Sequence, residues 1–124
     1  MENIPLGKFG EDRAADYLRS KKYHIIGRNV KLRGGEIDII AELADEIIFV
    51  EIKTSVIGSE HFFLPEGRVG PMKSRRLRRL SELFLATSGL MPKNGWRIDV
   101  VGVIIDKSSK KVTINHIENA IKGN

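Results

Sequence analysis

The chain has 124 residues, no cysteine, 21 Lys and Arg against 16 Asp and Glu, a formal net charge of +5 and a pI near 9.6. That is long enough for one domain with a real core, excludes disulfides and thiolate metal sites, and leaves no run of about 18 apolar residues to span a membrane. The basic balance points to a polyanionic partner, nucleic acid above all, and with no apolar leader at the N-terminus a soluble, cytoplasmic protein with no membrane partner is expected.

Residues 5–22 read as a first helix, because Leu6, Phe9, Gly10, Ala14, Tyr17 and Leu18 recur at helical spacing and form one apolar stripe. Pro5 suits the first turn. Glu11 flanks the stripe, next to the row of Leu18, which would leave it half-covered and aimed past the core edge; taken alone it reads as an ordinary acid near a helix N-terminus, favoured by the helix dipole. Residues 23–33 look like a strand, and Gly34-Gly35 a turn out of it. His24 has no acid or second histidine at ligand spacing, so it is structural or solvated.

Residues 35–54 read as a hairpin with its reversal at Ala44-Asp45. A two-residue turn there sets the register and makes Asp38 face Glu51, and Glu36 face Lys53. With side chains alternating between faces, those four project from one side, and Ile37, Ile39, Ile48, Val50 and Ile52 from the other. The opposed acids repel, at a cost of roughly 0.2–1 kcal/mol unless a cation lies between them. The hairpin is apolar enough to be central in a sheet, and Lys53 puts an ammonium beside the acids, where a nucleophilic water could be held.

Residues 54–70 form the least regular stretch, and a loop of this length in a small domain is usually functional or mobile. Phe62, Phe63 and Leu64 could fold back on the core, pack on a second subunit or wedge against bases, with the first two preferred, and His61 is expected to be a loop residue. Residues 71–88 are a second helix, opened by Gly70-Pro71 and stopped by Gly89, with Leu77, Leu80, Leu83 and Phe84 as its buried stripe. Its first half carries Lys73, Arg75, Arg76, Arg78 and Arg79 almost unrelieved by acids. Such a cluster opposes the helix dipole, so contact with phosphates explains it better than helix stability does. Residues 96–105 are a further buried strand, parallel to 46–54 through the helical crossover; 106–111 a polar turn; 112–117 a last antiparallel strand; and 119–124 a tail or short helix. Asp99 is expected to pair with an arginine of the fold.

Glu11 on the first helix, Gly35-Glu36-Ile37-Asp38, Phe49-Val50-Glu51-Ile52-Lys53 and Lys73 opening a basic helix together resemble the PD-(D/E)xK nuclease superfamily. Within it the chain resembles the YraN-like bacterial proteins, relatives of archaeal Holliday-junction resolvases, over nearly its whole length, from Gly7-Lys8-Phe9-Gly10-Glu11 through Arg97-Ile98-Asp99-Val100-Val101 to His116-Ile117-Glu118-Asn119-Ala120. The superfamily's proline is missing, since Ile37 precedes Asp38, and Ser55 stands where family members often have an arginine.

The resemblance implies an α/β fold of restriction-endonuclease type in the order αβββαββ, and a magnesium-dependent phosphodiesterase site that manganese could also fill. Asp38, Glu51 and the carbonyl of Ile52 would ligate the metal, with Glu11 reaching across from the first helix. Lys53 would orient the attacking water and stabilise the transition state; from the hairpin register, Glu36 would face Lys53 and position it, or else be simply solvated. Lys73, Arg75, Arg76 and Arg79 would hold the nucleic acid. The expectation is a DNA endonuclease for branched or junction DNA, with RNA left open and a homodimer as the form that makes paired cuts. The alternatives are an inactive nucleic-acid-binding module on the same fold and a protein-interaction module with an acidic groove.

Overall fold

The computed structural model describes residues 5–58 and 69–121. Most of the expected loop, including His61, Phe62, Phe63 and Leu64, lies outside the described residues. The elements are α1 (Leu6–Ser20), β1 (His24–Leu32), β2 (Gly35–Leu43), β3 (Glu46–Ile57), α2 (Pro71–Ser88), β4 (Trp96–Asp106) and β5 (Val112–Ile117). This is the expected αβββαββ order, and its mixed sheet with flanking helices matches a restriction-endonuclease-like fold. The strands lie in sequence order, antiparallel except for the parallel β3–β4 pair that the α2 crossover requires. No described helix is long and apolar enough to cross a membrane.

β3 is the central strand and runs three residues beyond its expected end, because Ser55, Val56 and Ile57 continue the ladder against Ile104, Ile105 and Asp106. α1 is shorter than expected. Pro5 is its N-cap rather than a first-turn residue, and the chain leaves through Lys22 at φ 75°, with Tyr23 N–H donating to Leu18 O.

Each helix covers one core. Ala14, Ala15 and Leu18 of α1 pack with Tyr23, Ile39, Ala41, Ile48, Val50, Val101 and Val103. Leu77 and Leu80 of α2 pack with Ile37, Ile40, Ile47, Phe49, Ile98 and Ile121, and the Phe49 ring meets Phe84 and Trp96 edge-on. The stripes differ in detail from those expected. Leu6 is exposed and Phe9 lies under Arg13 instead of in the core; on α2, Ser81 is buried where Leu83 was expected. Gly10 is part of the α1 contact for a steric reason: a Cβ there would overlap the Thr54 hydroxyl of β3. Gly10→Ala should force α1 and β3 apart and cost about 1–3 kcal/mol, the usual range for overpacking a close contact. Urea unfolding measures this; a stability equal to wild type would mean that the helix yields without cost.

Candidate active site

The β2–β3 hairpin turns at Ala44 and Asp45, with φ of 52° and 62°, the two left-handed residues that a two-residue hairpin turn of this hand requires. The ladder then runs in the expected register from Leu43 with Glu46 to Ile39 with Val50, and stops. The next rung would join Asp38 and Glu51. Instead, the Ile52 N–H donates to Asp38 Oδ2 at 2.9 Å, so a side chain takes the backbone donor as the strands part. Glu36 therefore does not face Lys53. It is cross-strand from Lys31 of β1, while Lys53 is beside Gly102 of β4.

The predicted single face also divides here. Ile37 joins the α2 core although Ile39 belongs to the α1 core, so strict alternation slips across Asp38. Two clefts open at this point. One, of about 640 Å³, is lined by Glu11, Asp38, Ile52, Thr54, Arg28 and Asn29 among others. The other, of about 480 Å³, is lined by Asp38, Glu51, Glu36, Lys31, Lys73 and Arg76 among others. Asp38 borders both.

Burial of Asp38, and next the charge of Glu51, push its carboxyl up to about 6, against the pull of the Ile52 N–H and of Lys73; Glu11 adds a smaller upward push. Glu51 is itself buried, and Lys73 Nζ lies 2.5 Å from its Oε2. Burial, with Lys73 nearby, lowers the Lys53 ammonium from its ordinary value, Glu51 opposing. Ser55, two residues on, is wholly buried, and its Oγ has no hydrogen-bond partner among the described residues.

Glu11 is covered at the flank of the α1 stripe, as one of its two expected readings had it, and is not simply a solvated N-terminal acid. It lies in the second turn of α1, nearly covered, and accepts from Arg28 Nε at 2.6 Å and from Asn29 Nδ2 at 2.9 and 3.2 Å. It therefore shares a cleft with Asp38 but has donors of its own. Among the described residues no three His, Cys, Asp or Glu side chains converge closely enough to hold a metal by themselves. Two carboxylates and a carbonyl nevertheless suit magnesium, which takes hard oxygens, keeps several waters and completes its shell with substrate phosphate. Glu51 is paired with an ammonium, that of Lys73.

The basic helix is divided by role. Lys73 and Arg76 line the second cleft with Lys31. Arg79 lies over Gly34, at φ 97°, and its Nη1 donates to Arg33 O at 3.3 Å, bracing the β1–β2 turn. Arg75 is exposed and lines neither cleft.

A profile of the uncharacterised protein family UPF0102 matches residues 10–103, which include all of Glu11, Asp38, Glu51 and Lys53. The chain belongs to the UPF0102 family. A UPF0102 protein from Streptomyces griseus is 45% identical over 109 residues, covering 87% of this chain and 89% of the relative. Another from Syntrophomonas wolfei is 41% identical, covering 95% and 98%. Among solved structures, Pyrococcus furiosus SfsA in complex with Ca2+ is similar at TM-score 0.41 and 17% identity, over 87% of this chain and 62% of that one. In this UPF0102 chain, sequence reasoning overlooked Lys31, Arg28 and Asn29, which border the clefts. Their one local signal was an asparagine within a strand, a residue that tolerates left-handed backbone.

Proposed function

We propose that the chain is a metal-dependent endonuclease that hydrolyses phosphodiester bonds in DNA, with branched or junction DNA as substrate. The observation that carries this reading is the parting of β2 and β3 at Asp38 and Glu51, where a half-buried and a buried acid stand beside a basic cleft with Lys73 on the second of them. Asp38, Glu51 and the Ile52 carbonyl would hold magnesium or manganese, with Glu11 contributing from the other cleft. Such an ion lowers the pKa of a bound water and offsets charge on the scissile phosphate. Lys53, its ammonium made easier to deprotonate by burial, orients the attacking water and faces the charge that develops on the phosphorane. Lys31, Lys73 and Arg76 hold the flanking backbone, Lys73 exchanging Glu51 for a phosphate oxygen. Paired cuts at a junction call for a symmetric homodimer.

A second reading has its own support. Lys73 on Glu51 and Arg28 on Glu11 already neutralise two of the acids, as suits a nucleic-acid-binding module that has lost cleavage. One experiment separates the two. Four-way junctions, flaps, forks and single strands are incubated with Mn2+ or Mg2+ and either wild type, Asp38→Ala or Lys53→Ala. Endonuclease activity is expected in the wild type and at least about a hundredfold less in both variants, with DNA binding retained. Cleavage that survives both changes overturns the assignment; binding without cleavage under any metal establishes the second reading.

A further inference from the structure

We infer that Arg28 and Asn29 are positioning residues that present Glu11 to the cation site at Asp38; this rests on the endonuclease reading above. Consecutive residues of a regular strand point to opposite faces, yet Arg28 and Asn29 of β1 both bond the same carboxylate. The cause is local. Asn29 has φ 51°, a left-handed conformation within a strand. Arg28 pairs with Ile39 and Val30 with Ile37, which leaves Asn29 opposite Asp38, where β2 also leaves its ladder with β3. One backbone irregularity thus turns a second donor onto Glu11, beside the aspartate of the site.

The arrangement is braced from behind. Arg28 Nη2 donates to Asp12 Oδ1 at 2.5 Å, so its guanidinium spans two successive acids of α1. Glu11 is left nearly covered on the wall of a cleft that it shares with Asp38 and Ile52. An ion pair that only pinned α1 to β1 would be complete with Arg28. The Asn29 amide adds nothing to that link except the direction of the carboxylate, and backbone held in a disfavoured region commonly marks such a role. Asn29 is therefore a determinant of how well the site holds a divalent cation, although it touches neither metal nor substrate.

The test is Mn2+ binding followed by calorimetry and by the electron paramagnetic resonance of free Mn2+, with thermal melts of the metal-free proteins beside it. Asn29→Gly keeps the left-handed backbone without strain and removes only the amide. It should weaken Mn2+ binding about three- to tenfold, as Glu11→Gln does, and the double variant should be no weaker than Glu11→Gln alone, the sign that both act through one carboxylate. An orienting amide would show in binding but hardly in the metal-free melt, whereas a purely structural residue would do the reverse. If Asn29→Gly binds Mn2+ as the wild type does while Glu11→Gln is weakened, the inference is wrong and the endonuclease reading stands. If Glu11→Gln binds normally while Asp38→Ala does not, the inference again fails alone. A wild type that binds no Mn2+ overturns both.

Discussion

Asp38→Asn is expected to melt at a higher temperature than the wild type at pH 7.5, while losing metal-dependent cleavage. Burial, and then Glu51, raise the folded-state carboxyl from 3.8 to about 6. A group that binds its proton more tightly when folded stabilises the fold in its protonated form. That contribution is complete below about pH 4 and lost as the pH rises through about 6. At neutral pH the ionised Asp38 therefore burdens the fold, by on the order of 2–3 kcal/mol at about 1.4 kcal/mol per unit. Asparagine removes the charge but keeps an oxygen for the Ile52 N–H, which would otherwise be left without its acceptor. The expected rise is about 5–10 °C. Below pH 4 the two proteins should melt alike. A divalent ion should narrow the gap at pH 7.5 by stabilising only the wild type, since a ligand of the folded state shifts the equilibrium by mass action. If Asp38→Asn melts below the wild type at pH 7.5, Asp38 is not the strained centre of the site.

The parts of this site legible in the sequence were those set by local rules. The register followed from a two-residue turn, and Ala44 and Asp45 adopt the left-handed pair although neither is glycine or asparagine. The order of elements followed from hydrophobic periods and from Pro71 and Gly89 at the ends of α2. Asp38, Glu51 and Lys53 could be placed together because they lie within one hairpin. What periodicity could not reveal was the point where alternation fails. Ile37 and Ile39 part company across Asp38 because the ladder is interrupted there on both sides, by Asn29 in β1 and by the Ile52 N–H in β3. The partners of the acids were equally hidden: Lys73 reaches Glu51 from α2, and Arg28 reaches Glu11 from β1, contacts that exist only once helices dock on the sheet. Basic residues that look alike in sequence are placed differently: Arg76 lines the second cleft, Arg79 braces the β1–β2 turn, and Arg75 is exposed and lines neither cleft.

Asp99→Ala should be the most damaging substitution outside the site. Asp99 has no exposed surface and receives Arg97 Nε at 2.9 Å and Nη2 at 3.3 Å, His116 Nε2 at 2.7 Å and the Asn119 N–H at 2.9 Å. Arg97 also bonds Glu46 and the Tyr23 hydroxyl, and His116 Nδ1 meets the Tyr17 hydroxyl at 2.9 Å. One carboxylate thereby ties β4 to β5, to α1 and to the segment after β5. Burial alone would push Asp99 up, but the hydrogen bonds from His116, Arg97 and Asn119 together outweigh it and hold the carboxyl below its ordinary value. The sign is the reverse of that for Asp38. The stabilisation from Asp99 is present above about pH 4 and lost as the pH falls through the lowered value, so acid should weaken this network. Removing the carboxylate leaves the His116 imidazole Nε2 and the Asn119 N–H without their acceptor, and leaves the mostly buried Arg97 guanidinium with Glu46 and the Tyr23 hydroxyl close to it. The cost is about 3–5 kcal/mol, a large part of the roughly 5–15 kcal/mol that holds a domain together. Urea unfolding at pH 7 measures it, and a loss under about 1 kcal/mol would show that the buried charge is not what joins these elements. None of Asp99, Arg97 and His116 lines either cleft at Asp38. Asp99→Ala that remains folded at low temperature should accordingly bind Mn2+ as the wild type does, which sets a defect of the scaffold apart from a defect of the site.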